Sequence, residues 1–301
     1  MNNPLELSYI VATRNRLPFL KVTLQFLLAN VKSNEEIVVV DGDSTDGTKE
    51  YLSELYAEGK IQKFVSEPDR NQSHGWNKAI LLAEGEIIKK IIDDDLFCFA
   101  AIQKCKEYML ANKSVDVCIS NTLTTSLLNY QKIDRESRQN YYLPWKTGKV
   151  KSFTFGDISM LLRKSSIPYI GLYDTSFVMM DYEFSLRISY LQANIAYYTG
   201  FNAMSIFNPN SVSSNAVSRN LKGEGTRANA MYEYPGDHAS ISPYSKLKIF
   251  VGKTLYQLGV WQPKDHKEDE EHSSPVSLSE IYKFCYEQLD NVNANQEFNF
   301  L

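Results

Sequence analysis

Residues 65–95 read VSEPDRNQSHGWNKAILLAEGEIIKKIIDDD, and they follow IVVVDGDSTDGTKEYL at residues 37–52. Each stretch holds a run of β-branched residues, then polar turn residues, then a helix-length amphipathic segment. The second ends on another apolar run, residues 86–92, and on three consecutive aspartates, Asp93, Asp94 and Asp95. Working outward, the pattern predicts strands over 7–12, 36–41, 61–66 and 86–92, with helices over 18–30, 45–57 and 73–83. Short apolar runs alternating with amphipathic helices specify an α/β fold whose mostly parallel sheet carries helices on both faces. Ligands of such sheets bind beyond the carboxyl ends of the strands.

Those ends hold the polar residues. Thr13, Arg14, Asn15 and Arg16 follow the first strand, and Asp41, Gly42, Asp43, Ser44, Thr45, Asp46 and Gly47 the second. Glu67, Pro68, Asp69 and Arg70 follow the third, and the triple Asp the fourth. Gly42 and Gly47 suit tight turns, and Ser44, Thr45 or Asp46 can cap the next helix, whose amide end favours anions. Three carboxylates closing a buried strand are costly unless a cation meets them. Mg²⁺ or Mn²⁺ suits carboxylate oxygens and keeps coordination positions free for phosphates; the alternative is a solvated acidic turn.

With these motifs in order and at this separation, the chain resembles inverting family 2 glycosyltransferases with the GT-A fold. It is most similar to the branch bearing a SEPD…NKGI…A-GE signature, common in bacterial surface-polysaccharide assembly, and the resemblance runs over about residues 5–215. It implies a Rossmann-like mixed sheet and metal-dependent transfer of a sugar from a nucleotide-diphosphate donor. UDP-sugar leads as donor, with GDP and dTDP as alternatives, and the acceptor is a hydroxyl of a glycan or lipid-linked glycan. The resemblance implies that Asp41 accepts hydrogen bonds from the base, an acceptor-only group being suited to an imide or amino edge. It sets Asp69 and Lys78 at further nucleotide contacts, with Thr13, Arg14, Asn15 and Asp43 on the same rim. In the DxD-like cluster it matches Asp95 to the metal ligand and Asp93 or Asp94 to the group near the ribose, the register being open by one residue.

The segment from Gly171 to Arg187 resembles the acceptor-side motif E-D-y-d-l-s-l-R and aligns Asp181 with the general base. Helix N-capping is the other reading of that residue. Glu183, two positions on, faces elsewhere on a helix. The chain departs from the pattern at Met180, where relatives often have Glu, and at Asn208, where many carry a metal- or diphosphate-reaching His. An amide oxygen still suits a hard cation; His238 is the other candidate, although a lone loop histidine is more commonly a surface residue. Inversion needs no protein nucleophile; the cation assists the departing diphosphate and the base deprotonates the acceptor.

The middle of the chain predicts strands over 116–120, 158–162 and 195–198 and a helix carrying Asp181. The residues from Asn140 to Trp145 could form an aromatic wall for a sugar, core packing being the commoner use, and Asp157 is read as an acceptor contact. The expected organisation is a catalytic domain over 1–215, split into a nucleotide-sugar half (1–115) and an acceptor half (116–215). A mainly helical C-terminal extension over 216–301 follows. It contains a polar helix over 220–234, an apolar, lysine-bearing run over 243–260 and a charged linker over 264–275. A short helix over 278–289 ends it. The apolar run suits either a helix packed on the catalytic domain or contact with a membrane surface.

The 301 residues carry a net charge of −4 and are 43% hydrophobic; with no basic face, nucleic acid is not an expected partner. Residues 1–10 lack the charged-then-apolar form of a signal peptide and no run of eighteen apolar residues occurs, so a cytoplasmic location is expected. Cys98, Cys105, Cys118 and Cys285 lack zinc or redox spacing and read as buried thiols. Two other functions stay open. A sugar-phosphate nucleotidyltransferase shares a related sheet but has a Gly-rich first loop, which Thr13–Arg16 lacks. A non-catalytic nucleotide-sugar-binding or scaffold protein gains from Met180 and Asn208.

Overall fold

The computed structural model describes residues 4–208, 221–236 and 276–301. The expected alternation is present: β1 (Leu7–Thr13), α1 (Leu17–Asn30), β2 (Glu35–Asp41), α2 (Thr48–Ala57), β3 (Lys63–Ser66), α3 (Gln72–Leu82) and β4 (Ile87–Ile91). β3, β2, β1 and β4 lie side by side and parallel, with Thr13 in register with Asp41. β1, β2 and β4 are buried along both faces, as parallel strands under two helix layers must be. Apolar clusters fill both sides, one around Leu24, Val39 and Ile91 and one around Ile10, Val40 and Trp76.

Beyond β4 the sheet becomes mixed. β5 (Leu96–Phe97) and α4 (Phe99–Ala111) lead to β6 (Val117–Ser126), which forms a hairpin with β7 (Asn129–Glu136). α5 (Gln139–Lys146), β8 (Leu161–Arg163), α6 (Ile167–Ile170), α7 (Met180–Tyr190) and β9 (Ile195–Phe207) follow. The described strands run β3-β2-β1-β4-β8-β6-β9-β5, with β7 beside β6. β8 is antiparallel to both β4 and β6, while β9 is parallel to β6 and antiparallel to β5.

Several boundaries moved for local reasons. α2 starts at Thr48 rather than residue 45, because Asp46 accepts from the Thr48 amide and hydroxyl while Thr45 is tied to Asn15. The strand expected over 158–162 is a 3₁₀ turn at Asp157–Ser159 followed by β8. There the Ser159 and Met160 amides bond back to Gly156 and Asp157, and Lys89 donates to the Ile158 carbonyl. The aromatic run 140–145 is a helix, and its large rings are core: Tyr142 and Trp145 are buried, and the indole N–H donates to the Ser189 carbonyl at 2.8 Å. Four cysteines are buried free thiols, as expected.

Of the span read as an extension, two helices are described, Leu221–Met231 and Leu278–Ala294. The first packs against α7 and the second against β9, β5 and α1. The second begins with a capping box: Ser277 accepts from the Glu280 amide, and the Glu280 carboxylate accepts from the Ser277 amide at 3.0 Å. Residues 299–301 return to the sheet through reciprocal hydrogen bonds between Leu301 and Tyr197 and the stacking of Phe300 on Tyr108 at 3.9 Å. Residues 243–260, the linker 264–275 and His238 lie outside the described residues.

Candidate active site

An open cavity of about 770 Å³ lies where β1 and β4 end, facing the loops around Asp157 and α7. One side is lined by Thr13, Arg14, Arg16, Asp69, Asp93, Asp94 and Asp95, and the other by Lys90, Asp157, Met180 and Asp181. Ser205, Ile206, Phe207 and Asn208, at the end of β9, close it.

The acidic turn does find a cation within the chain. Arg16 donates to Asp94, and its Nε lies 3.4 Å from Asp93 Oδ1. Thr13 Oγ1 donates to the other Asp93 oxygen at 2.6 Å. The turn's backbone is pinned too, since the hydroxyl of Thr23 donates to the Asp93 carbonyl at 2.8 Å and that of Tyr282 to the Asp94 carbonyl at 2.7 Å. Asp95 accepts from the Ile206 amide at 2.8 Å. Burial raises Asp93 to about 6 against the opposing pull of Arg16. Burial, with Asp94 next to it, raises Asp95 to about 8. Three adjacent buried carboxylates set against one guanidinium leave negative charge uncompensated, which a divalent cation would supply. Among the described residues no three His, Cys, Asp or Glu side chains converge on one point. Asp95 and Asn208 both line the cavity, and their oxygens suit a cation that draws its other ligands from phosphates.

The other rim residues divide. Asp69 lines the cavity and pairs with Lys78 at 2.8 Å, and Lys78 also holds Glu67 at 2.7 Å. Gly75 permits this, because a Cβ there would stand 2.7 Å from an Asp69 oxygen. Asn15, at φ 53°, links two loops by accepting from Thr45 while its amide donates to Ser44. Asp43 is exposed, with Lys49 at 3.9 Å. Asp41, expected to meet a base, has no exposed surface. It accepts from the Ser44 amide and hydroxyl and from Ser66 Oγ, shaping the loop instead of facing the cavity.

Asp181 sits in the first turn of α7, exposed to the cavity. Surrounding protein and the nearby Asp157 raise its pKa, opposed by Lys90 and by the amides of its own turn. Lys90 is buried, 2.7 Å from Asp157 and 4.5 Å from the Trp76 ring centre, and Tyr173 donates to the same Asp157 oxygen at 2.7 Å. Met180, in place of the relatives' Glu, is buried and its sulfur accepts from Ser73. Glu183 faces away, bound to Arg187 and Tyr232. The start of α7 is capped from outside: Glu224, on the helix Leu221–Met231, accepts from the amides of Val178 and Met179 at 2.9 and 3.1 Å. Sequence reading gave no role to Arg16, Lys90, Glu224 or Tyr282. The visible signals were the place of Arg16 at the end of the first strand and the lysine pair inside an apolar strand.

Residues 8–170 match the family described as glycosyl transferase family 2, more than half of the chain. The chain belongs to that family. This family 2 glycosyltransferase is 27% identical over 115 residues to an uncharacterised glycosyltransferase of Nostoc sp., alr2836, covering 38% of this chain and 35% of that one. Among solved structures, TarS of S. aureus gives a TM-score of 0.54 at 18% identity, covering 83% of this chain and 46% of TarS. TarS residues 1–349 bound to UDP-GlcNAc give 0.55 at 16%, covering 83% and 77%. The mannosyltransferase PcManGT of Pyrobaculum calidifontis, in complex with GDP-Man and Mn²⁺, gives 0.53 at 15%, covering 97% and 87%. The shared fold is the GT-A mixed sheet. No helix among the described residues of the glycosyltransferase is long and apolar enough to cross a membrane.

Proposed function

We propose that the protein is a metal-dependent inverting glycosyltransferase. It moves a sugar from a nucleotide-diphosphate donor, a UDP-sugar foremost, to a hydroxyl of a glycan or lipid-linked glycan in cell-surface polysaccharide synthesis. The observation that carries this reading is the placement of Asp181 and the Asp93–Asp95 turn on two walls of one cavity. Neighbours of the same fold bind UDP-GlcNAc and GDP-Man with Mn²⁺, which supports a nucleotide-sugar in that space.

In this reading Asp69, Lys78 and Arg14 line the nucleotide's path, with Asn15, Asp43 and the Ser44 loop held in shape beneath it by Asp41. Thr13 and Arg16 fix Asp93 and Asp94 near the ribose and diphosphate. Asp95 and Asn208 would hold Mn²⁺ or Mg²⁺, whose chemistry is to offset charge on the departing diphosphate. Asp181 takes the proton from the acceptor hydroxyl as its oxygen bonds to C1 on the face opposite the leaving group. The C1–O bond to phosphate breaks, and its electron pair leaves with the nucleoside diphosphate. Peripheral contact with the inner face of a membrane suits a lipid-linked acceptor and a cytoplasmic enzyme.

The test is thermal stabilisation by UDP, GDP and dTDP, each with and without Mn²⁺, since a ligand of the folded state raises its melting temperature. A Mn²⁺-dependent rise with one diphosphate is expected. No rise with any of them sinks the reading.

A further inference from the structure

The acidic turn is held by its backbone as well as its side chains, from two directions. Asp93 C=O belongs to the peptide leading into Asp94, and Thr23 of α1 donates to it. Asp94 C=O belongs to the peptide leading into Asp95, and it receives the phenol of Tyr282, 188 residues later in the chain. Tyr282 is buried on the helix Leu278–Ala294. That helix is seated by the stacking of Tyr286 on Phe26 of α1 at 3.7 Å and by Asn293, which bonds both the amide and the carbonyl of Phe201 in β9. A carbonyl oxygen can only accept, so the phenol of Tyr282 is the donor in this bond.

We infer that Tyr282 is a positioning residue of the donor site: by fixing the plane of the Asp94–Asp95 peptide it aims the Asp95 carboxylate at the cation. This rests on the reading of Asp95 as metal ligand. A peptide plane free to rock about its Cα–Cα axis swings the next Cα–Cβ bond, and outer partners that orient ligands typically change metal affinity tenfold or more when lost. The inference makes the helix Leu278–Ala294 a working part of the catalytic unit.

The test uses the full chain and the variant Tyr282→Phe, which keeps the ring and removes the donor. Tyr286→Phe, one turn on, keeps its stack and serves as control. Mn²⁺ titrated calorimetrically at saturating UDP should bind Tyr282→Phe on the order of tenfold more weakly. UDP without metal should bind as in the parent, and Tyr286→Phe should match the parent in both. Equal Mn²⁺ affinity in parent and Tyr282→Phe overturns the inference while leaving the donor-site reading intact. A parent that binds neither UDP nor Mn²⁺ sinks both. Should Tyr282→Phe fail to fold, hydrogen exchange of the parent decides: UDP with Mn²⁺ should slow exchange in residues 278–294 more than UDP alone, and equal exchange overturns the inference.

Discussion

The two walls of the cavity are built on opposite plans. On the donor side each aspartate is gripped: Asp93 by Thr13 and Arg16, Asp94 by Arg16, Asp95 by the Ile206 amide, with two hydroxyls pinning the turn's carbonyls. On the acceptor side Asp181 stands exposed on the first turn of a helix, and the firm contacts lie beneath and behind it, in the Lys90–Asp157–Tyr173 cluster and the Glu224 cap. In the proposed reading the first wall meets nucleotide and diphosphate, the same group at every turnover, and gains from rigidity paid in advance of binding. In the same reading the second wall meets a bulky acceptor and takes its proton, so it has to leave the base open and can orient it only through its helix.

Breaking the acceptor wall at its centre has the largest effect. Asp181→Asn should lower kcat about a thousandfold, within the range for losing a general base, with donor affinity unchanged by calorimetry; a retained rate returns Asp181 to helix capping. Breaking the donor wall with Asp95→Ala should cost about a hundredfold in turnover, the loss falling on Mn²⁺-dependent UDP binding as well as on rate. If only the rate falls, Asp95 holds no cation.

Two milder changes probe what lies beneath the base. A base works ionised, so activity rises with pH through its pKa, and Asp157 raises that pKa while Lys90 lowers it. Lys90→Met should therefore move the acid limb of the kcat/KM profile to higher pH, and Asp157→Asn to lower pH. Movement of both in the same direction removes the pair from the site's electrostatics. The smallest effect is expected from Glu224→Gln, which keeps an acceptor but not its charge: kcat should fall a few-fold and stability by about 1 kcal/mol, read from rates and urea unfolding. An unchanged kcat would show that α7 needs no external cap.

The parallel half of the fold was legible because its signals are local. β-branched runs, turn residues and amphipathic helices repeat from residue 7 to 95, and strand-end residues such as Thr13, Asp69 and the triple Asp could be named from their place in that pattern. The helix carrying Asp181 and the departure at Met180 were also visible. What escaped depends on contacts distant in sequence. Asp41 satisfies every local expectation of a ligand-facing residue, yet Ser66 from the next strand helps to bury it. The aromatic run 140–145 is core, the commoner of its two readings, and the distant carbonyls of Ser189 and Ile195 that receive Trp145 and Tyr142 are what the sequence did not show. Arg16, Glu224 and Tyr282 act across 78, 45 and 188 residues, separations at which no periodicity speaks. The family match ends at residue 170, before Asp181 and before both described helices of the C-terminal span.

The bond from Tyr282 to the acidic turn also sets an order in time. Residues 1–95 contain every strand of the parallel half, and that half can pair as the chain emerges; the Asp94 carbonyl waits for a partner made 188 residues later. At about 5–20 residues per second of synthesis, the interval is about 10–40 s. Through that interval the nascent protein has a sheet and an acidic turn with one carbonyl still turned to water, and the turn is completed only once Tyr282 has been made.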